Sequence, residues 1–206
     1  MTGDRDRKGK GGFTLMETLI VLGLFSVVLT TAADIFLMSN RAQRKTVSME
    51  RVQSDARYTM EAMVREIRSG AVDYAWYGEN LPLDGANAVD TLALIDGQGD
   101  RIRFFRNRED SECGSGSEAV RSCLLVSING GATQVLTPTG INVFRASFFI
   151  RPVADPYGFD AVTGLYGASS QPAVTIVLGT ENISADPRER SLVYLQTTVG
   201  TRNFRR

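Results

Sequence analysis

Three kinds of residue could do chemistry in this chain of 206 residues: a carboxylate inside an apolar run, two cysteines, and aspartates in glycine-rich turns. Glu17 stands near the start of a hydrophobic stretch, residues 13–38, and Asp34 near its end, while residues 18–33 between them carry no formal charge. The stretch reaches the ~20 residues that cross a ~30 Å hydrocarbon core as a helix. A carboxylate there is costly, by about 3 kcal/mol, and needs a partner. A cut between Gly12 and Phe13 would expose a new ammonium group at Phe13. Glu17 of one such chain could neutralise the terminal amine of a neighbour packed with a vertical offset. The other reading leaves Glu17 in the headgroup region, about 6 Å below the start of the helix. The residues alone leave both open.

Histidine is absent, which removes the commonest general base and the commonest metal ligand. No serine, threonine or lysine sits in a recognisable nucleophile motif. Cys113 and Cys123 are the only cysteines, so one chain cannot form a four-thiolate site. Outside the cytoplasm they could close a disulfide around a short Gly/Ser loop; inside it they would stay free thiols. Asp96 and Asp100 enclose Gly97-Gln98-Gly99, a reverse-turn composition that could also offer oxygens to Ca²⁺. Asn182-Ile183-Ser184 has the form of a glycosylation acceptor, a pattern of low specificity.

The balance of 23 basic and 23 acidic residues gives no nucleic-acid footprint. It hides a local asymmetry: Arg5, Arg7, Lys8 and Lys10 face only Asp4 and Asp6 ahead of the apolar run. Positive charge there predicts that this end stays in the cytoplasm and the C-terminal end crosses. A secretory signal peptide fits poorly, because the run is longer than a signal core and no small-x-small site follows it cleanly.

These residues must be positioned by a helix and a sheet. Residues 1–12 hold nothing that can pack and read as a leader. Residues 13–38 should be one helix, since in lipid every backbone group must be bonded within the segment. Residues 39–70 continue it. Val52, Ala56, Thr59, Met60, Met63, Val64 and Ile67 recur at three- and four-residue steps, one apolar stripe. Gly70 suits a C-cap, and the whole helix would be roughly 85 Å long. Residues 72–88 read as a connecting loop. Strands follow at 91–95, 101–105, 123–128, 132–136, 143–150, 173–178 and 192–199, with Asn129-Gly130 marking a hairpin. Loops are expected at 109–122 and 152–172. The class predicted is α+β, one long N-terminal helix packed on an antiparallel sheet, with residues 71–206 as a β-rich globular domain.

Lys8-Gly9-Lys10-Gly11-Gly12 followed by Phe13-Thr14-Leu15-Met16-Glu17 resembles the class III signal of type IV pilins and type II secretion pseudopilins. The resemblance covers residues 8–38 directly. It implies cleavage by a prepilin peptidase between Gly12 and Phe13, N-methylation of Phe13, and a role for Glu17 in filament register. It also implies a single-pass precursor in a bacterial inner membrane, with lipid around its helix and an extracytoplasmic C-terminal domain. Its partners would be other pilin or pseudopilin subunits and the inner-membrane assembly platform. Asp34 stands where many major subunits carry proline. The long globular part and its last strand resemble the larger J/W-type minor subunits. Some pseudopilins bind calcium in a loop, which makes Asp155 and Asp160 the corresponding Ca²⁺ candidates; an exposed variable loop is the plainer reading. The expected function is thus a non-enzymatic filament subunit. The alternative is a membrane-anchored extracytoplasmic binding domain that does not polymerise.

Overall fold

The computed structural model describes residues 12–107, 113, 122–183 and 190–202. The basic leader to Gly11, most of the loop between the cysteines, and Ser184 lie outside the described residues. The chain divides into two units, Met1–Arg44 and Lys45–Arg206.

Helix α1 spans Leu15–Ser69. Its sequence holds no proline, and Thr14 begins it as an N-cap. In the first unit every described residue up to position 39 is exposed. Four hydroxyls in its apolar run bond back within the helix, among them Thr18 to the Leu15 carbonyl at 2.8 Å, Ser26 to Leu22 at 2.8 Å and Thr31 to Val28 at 2.9 Å, with Thr30 as the fourth. Such back-bonding hides a polar group from an apolar solvent.

In the second unit the predicted stripe is the buried face. Val52, Ala56, Thr59, Met60, Met63 and Ile67 are buried, and Val64 packs at their margin. Each large apolar side chain so buried contributes about 1.5–3 kcal/mol. They meet two antiparallel sheets. The first has the order β1-β2-β3-β4-β5, with β1 Ala71–Val72, β2 Thr91–Ile95, β3 Arg101–Asn107, β4 Cys123–Ile128 and β5 Gln134–Val135. The second has the order β10-β9-β6, with β6 Ile141–Arg151, β9 Ala173–Asn182 and β10 Leu192–Gly200. Leu92, Leu94, Phe104, Leu124, Phe148, Ile176 and Leu178 join the helix stripe in one core. A two-stranded hairpin, β7 Phe159–Asp160 and β8 Leu165–Tyr166, stands apart.

Several expectations need correction. Residues 72–88 are not simply a loop: β1 ends at Val72 and helix α2 covers Tyr74–Asn80. The buried Asp73 caps α2 by accepting from the Trp76 amide at 3.1 Å, a Ser/Asp-type cap that the aromatic and glycine composition obscured. The 152–172 loop contains β7 and β8. The strand expected at 132–136 shrinks to two residues. Asn129 (φ 52°) and Gly130 (φ 71°) do form the expected turn, closed by the Gly131 amide on Ile128. Leu125 then pairs with Val135, one residue beyond where a regular two-residue hairpin places it, so the ladder is short. Gly70 does end α1, but its φ is not left-handed. A Cβ there would lie 2.6 Å from the Ile95 carbonyl oxygen, so close backbone approach requires the glycine.

Strand β6 carries a bulge between Val143 and Arg145. The extra residue, Phe144, turns its ring over Gly179, where a Cβ would come within 2.6 Å. The ring also meets Tyr194 edge-on, centroids 5.2 Å apart.

Candidate functional site

The N-terminal site is built from the backbone upward. Gly12 and Phe13 precede the helix, and both are exposed. The Glu17 amide donates to the Thr14 carbonyl at 3.1 Å and to Thr14 Oγ1 at 3.3 Å. Thr14 is therefore the N-cap and Glu17 its N3 residue, the Thr-x-x-Glu spacing of a capping box. The Thr-x-x-Glu spacing is the sequence signal of this cap, and the hydrogen bonds give Thr14 its role. Glu17 sits in the first turn, where the partial positive charge of the helix end favours a carboxylate. The Gly12–Phe13 bond lies outside the helix, which begins at Leu15.

Two glycines here have no reason within the chain. A Cβ at Gly12 or at Gly23 would meet nothing within 4 Å. Gly23 even weakens the helix, by about 1 kcal/mol relative to alanine. The surrounding apolar side chains are open: Phe13, Leu15, Leu24, Val27, Phe36 and Met38 are each more than half exposed. One stretch of α1 is long and apolar enough to cross a membrane, with mean hydropathy 2.2 and none of it buried. An apolar surface of this extent needs lipid or protein to cover it.

The other candidates are placed elsewhere. Cys113 and Cys123 are joined, Sγ–Sγ 2.12 Å and Cα–Cα 5.7 Å, and buried beside Leu125 with Phe105 packed against them. Asp96 takes the Gln98 and Asp100 amides on one carboxylate oxygen, each at 2.8 Å, the bonding of a reverse turn. Asp155 accepts from the Tyr157 amide at 2.8 Å. Asp160 accepts from the Val162 amide and from Thr163 Oγ1, both at 2.8 Å; the Val162 hydrogen bond, then that of Thr163, holds its carboxyl below the usual range. Among the described residues no three acidic, cysteine or histidine side chains gather into a metal cluster. Asn182 donates its amide to Ser48 Oγ at 2.8 Å and accepts from the Ser191 amide at 2.6 Å, which fastens α1 to β9 and occupies the glycosylation candidate.

Residues 7–33 match the family model of the prokaryotic N-terminal methylation motif. The chain thus carries a prepilin-type N-terminus, consistent with the type IV pilin and pseudopilin class. Searches of curated proteins and of solved structures returned no match.

Proposed function

We infer that the chain is a structural filament subunit, a minor pilin or pseudopilin. One observation carries the reading. A glycine that the fold does not require precedes a capped helix whose first turn holds Glu17 and whose apolar N-terminal stretch, up to residue 39, is uncovered. A protease subsite accounts for Gly12, because only glycine lets a backbone approach without a side chain. Neighbouring helices account for Gly23, since small residues let helix backbones close together in an apolar medium.

In this reading α1 first anchors the precursor in the inner membrane, with residues 71–206 outside the cytoplasm. A joined Cys113–Cys123 pair accords with an oxidising compartment. Prepilin peptidase cuts between Gly12 and Phe13, and Phe13 is N-methylated. The new amine then meets Glu17 of an adjacent subunit, a charge pair that fixes vertical register as the helices leave lipid for the filament core. Asp34 and the large sheet domain favour a minor subunit of the J/W kind over the bulk fibre protein. No enzymatic chemistry is assigned to it.

Glu17→Ala tests the register mechanism. Normal accumulation of the variant with loss from the filament fraction is expected. Unchanged incorporation would remove the register mechanism, whereas absence of the wild-type chain itself from filaments would leave a membrane-anchored domain that does not polymerise.

A further inference from the structure

The free edge of β10 ends beside a cluster of arginines. The hydrogen-bond phase of β10 against β9 is set at its two ends. The Asn182 amide bonds the Ser191 carbonyl at 3.3 Å, and the Thr201 amide bonds the Pro172 carbonyl at 3.0 Å. Odd-numbered residues therefore point their backbone groups at β9. Leu192, Tyr194, Gln196, Thr198 and Gly200 point theirs away. Among the described residues nothing accepts or donates to those five on the open side.

The other edges are managed. β1 and β5 have two residues each. The outer side of β6 is closed by Val89, which exchanges two 2.8 Å bonds with Phe148, by Ser122 on the Val143 amide, and by Arg106 on the Phe144 carbonyl. β10 by contrast is nine residues long, with no proline, no charge and no bulge. Proteins ordinarily blunt such an edge.

The edge also has a polarity. Arg202, the next even position beyond Gly200, gives its amide to the Arg68 carbonyl at 3.2 Å, so the end of α1 lies on the open side there. Arg65, Arg68 and Arg202 line a hollow of about 460 Å³ together with Val64, Ser69 and one carboxylate, Glu61. Three guanidinium groups against one acid leave this end positive. A second copy paired antiparallel about Gln196 would set Arg190 against Arg202 at both ends, which like charges disfavour. The complement is a strand with an acidic end.

We propose that β10 accepts an extended segment of another protein subunit by antiparallel strand addition, its uncharged stretch lying along Leu192–Gly200 and carboxylates at its N-terminal end seated among Arg65, Arg68 and Arg202. The proposal does not depend on polymerisation, so its failure would leave the filament reading untouched.

The test uses the full chain in detergent micelles and a capped peptide of about nine residues, with two aspartates followed by alternating threonine and valine. Amide exchange read by NMR should slow at Tyr194, Gln196 and Thr198, while Val193 and Leu195 are already slow in the free protein. A twin peptide with lysines in place of the aspartates should bind about tenfold or more weakly, and Arg202→Ala together with Arg68→Ala should cost the acidic peptide a similar factor. Gln196→Pro removes only an outward N–H and should abolish the protection; alternate N-methylation of the peptide should do the same without altering the protein. Four results would overturn the proposal. They are no protection at the even positions, equal binding of the lysine twin, inorganic phosphate binding the hollow without the acidic peptide protecting the edge, or even-position protection that grows with protein concentration alone, which would assign the edge to a second copy.

Discussion

Gly23 offers a substitution whose predicted effects on the single chain and on incorporation into a filament have opposite sign. In the single chain a Cβ at this position touches nothing within 4 Å, and the residue lies inside α1, eight positions after its first residue. Gly23→Ala and Gly23→Leu should both strengthen the isolated helix, by about 1 kcal/mol for alanine and somewhat less for leucine. If a neighbouring helix backbone closes over Gly23 in the filament, leucine inserts a side chain where none fits, at about 1–3 kcal/mol per contact. Each 1.4 kcal/mol is about tenfold in occupancy, so incorporation should fall roughly five- to a hundredfold while alanine falls less. Helix content and melting in micelles read the first effect. The ratio of sheared filament to cell-associated subunit reads the second. Gly23→Leu entering filaments at the wild-type ratio would refute close packing at this position.

Other consequences are narrower. Gly12→Leu should leave stability within about 0.5 kcal/mol and stop removal of the leader, read by the electrophoretic shift of the precursor; a clear loss of stability would give Gly12 a structural role. Gly70→Ala drives a Cβ against the Ile95 carbonyl and should cost about 1–3 kcal/mol in urea unfolding, whereas Gly78→Ala in α2 meets nothing within 4 Å and should be neutral or stabilising. Tyr77→Phe removes a buried hydroxyl that donates to the Thr91 carbonyl and accepts from the Ala93 amide, both at 2.9 Å; leaving those groups unpaired should cost about 1–3 kcal/mol. Burial raises the Tyr77 phenol above its ordinary value of 10.0. Its stabilising share is therefore complete below that pH and is lost as pH rises beyond it, an alkaline slope that Tyr77→Phe should flatten.

How much of this was legible in the sequence follows from periodicity. The stripe from Val52 to Ile67 repeats at helical spacing over many turns, and six of its seven residues are buried. The long strands announced themselves through β-branched and aromatic runs, although β6 and β9 extend beyond their predicted ends because residues paired across the sheet hold one another in place. α2 was missed because seven residues carry too little periodicity, and its signal is a single cap, Asp73. The two-residue strands β1, β7 and β8 owe their pairing to neighbours distant in sequence or to one turn, so no local pattern marks them. At the N-terminus the methylation-motif pattern over residues 7–33 was legible, while the Thr14 cap needed the hydrogen bonds. The open edge of β10 and its arginines could not be read at all: Arg65, Arg68 and Arg202 meet only through the fold.

The central claim concerns the bond between Gly12 and Phe13, and intact-mass and N-terminal peptide analysis of the protein from its native cells tests it most directly. The account predicts a chain that begins at Phe13 and is heavier by one methyl group on its terminal amine. A mature protein that still carries Met1 or Gly11, in cells with an active peptidase, would contradict it.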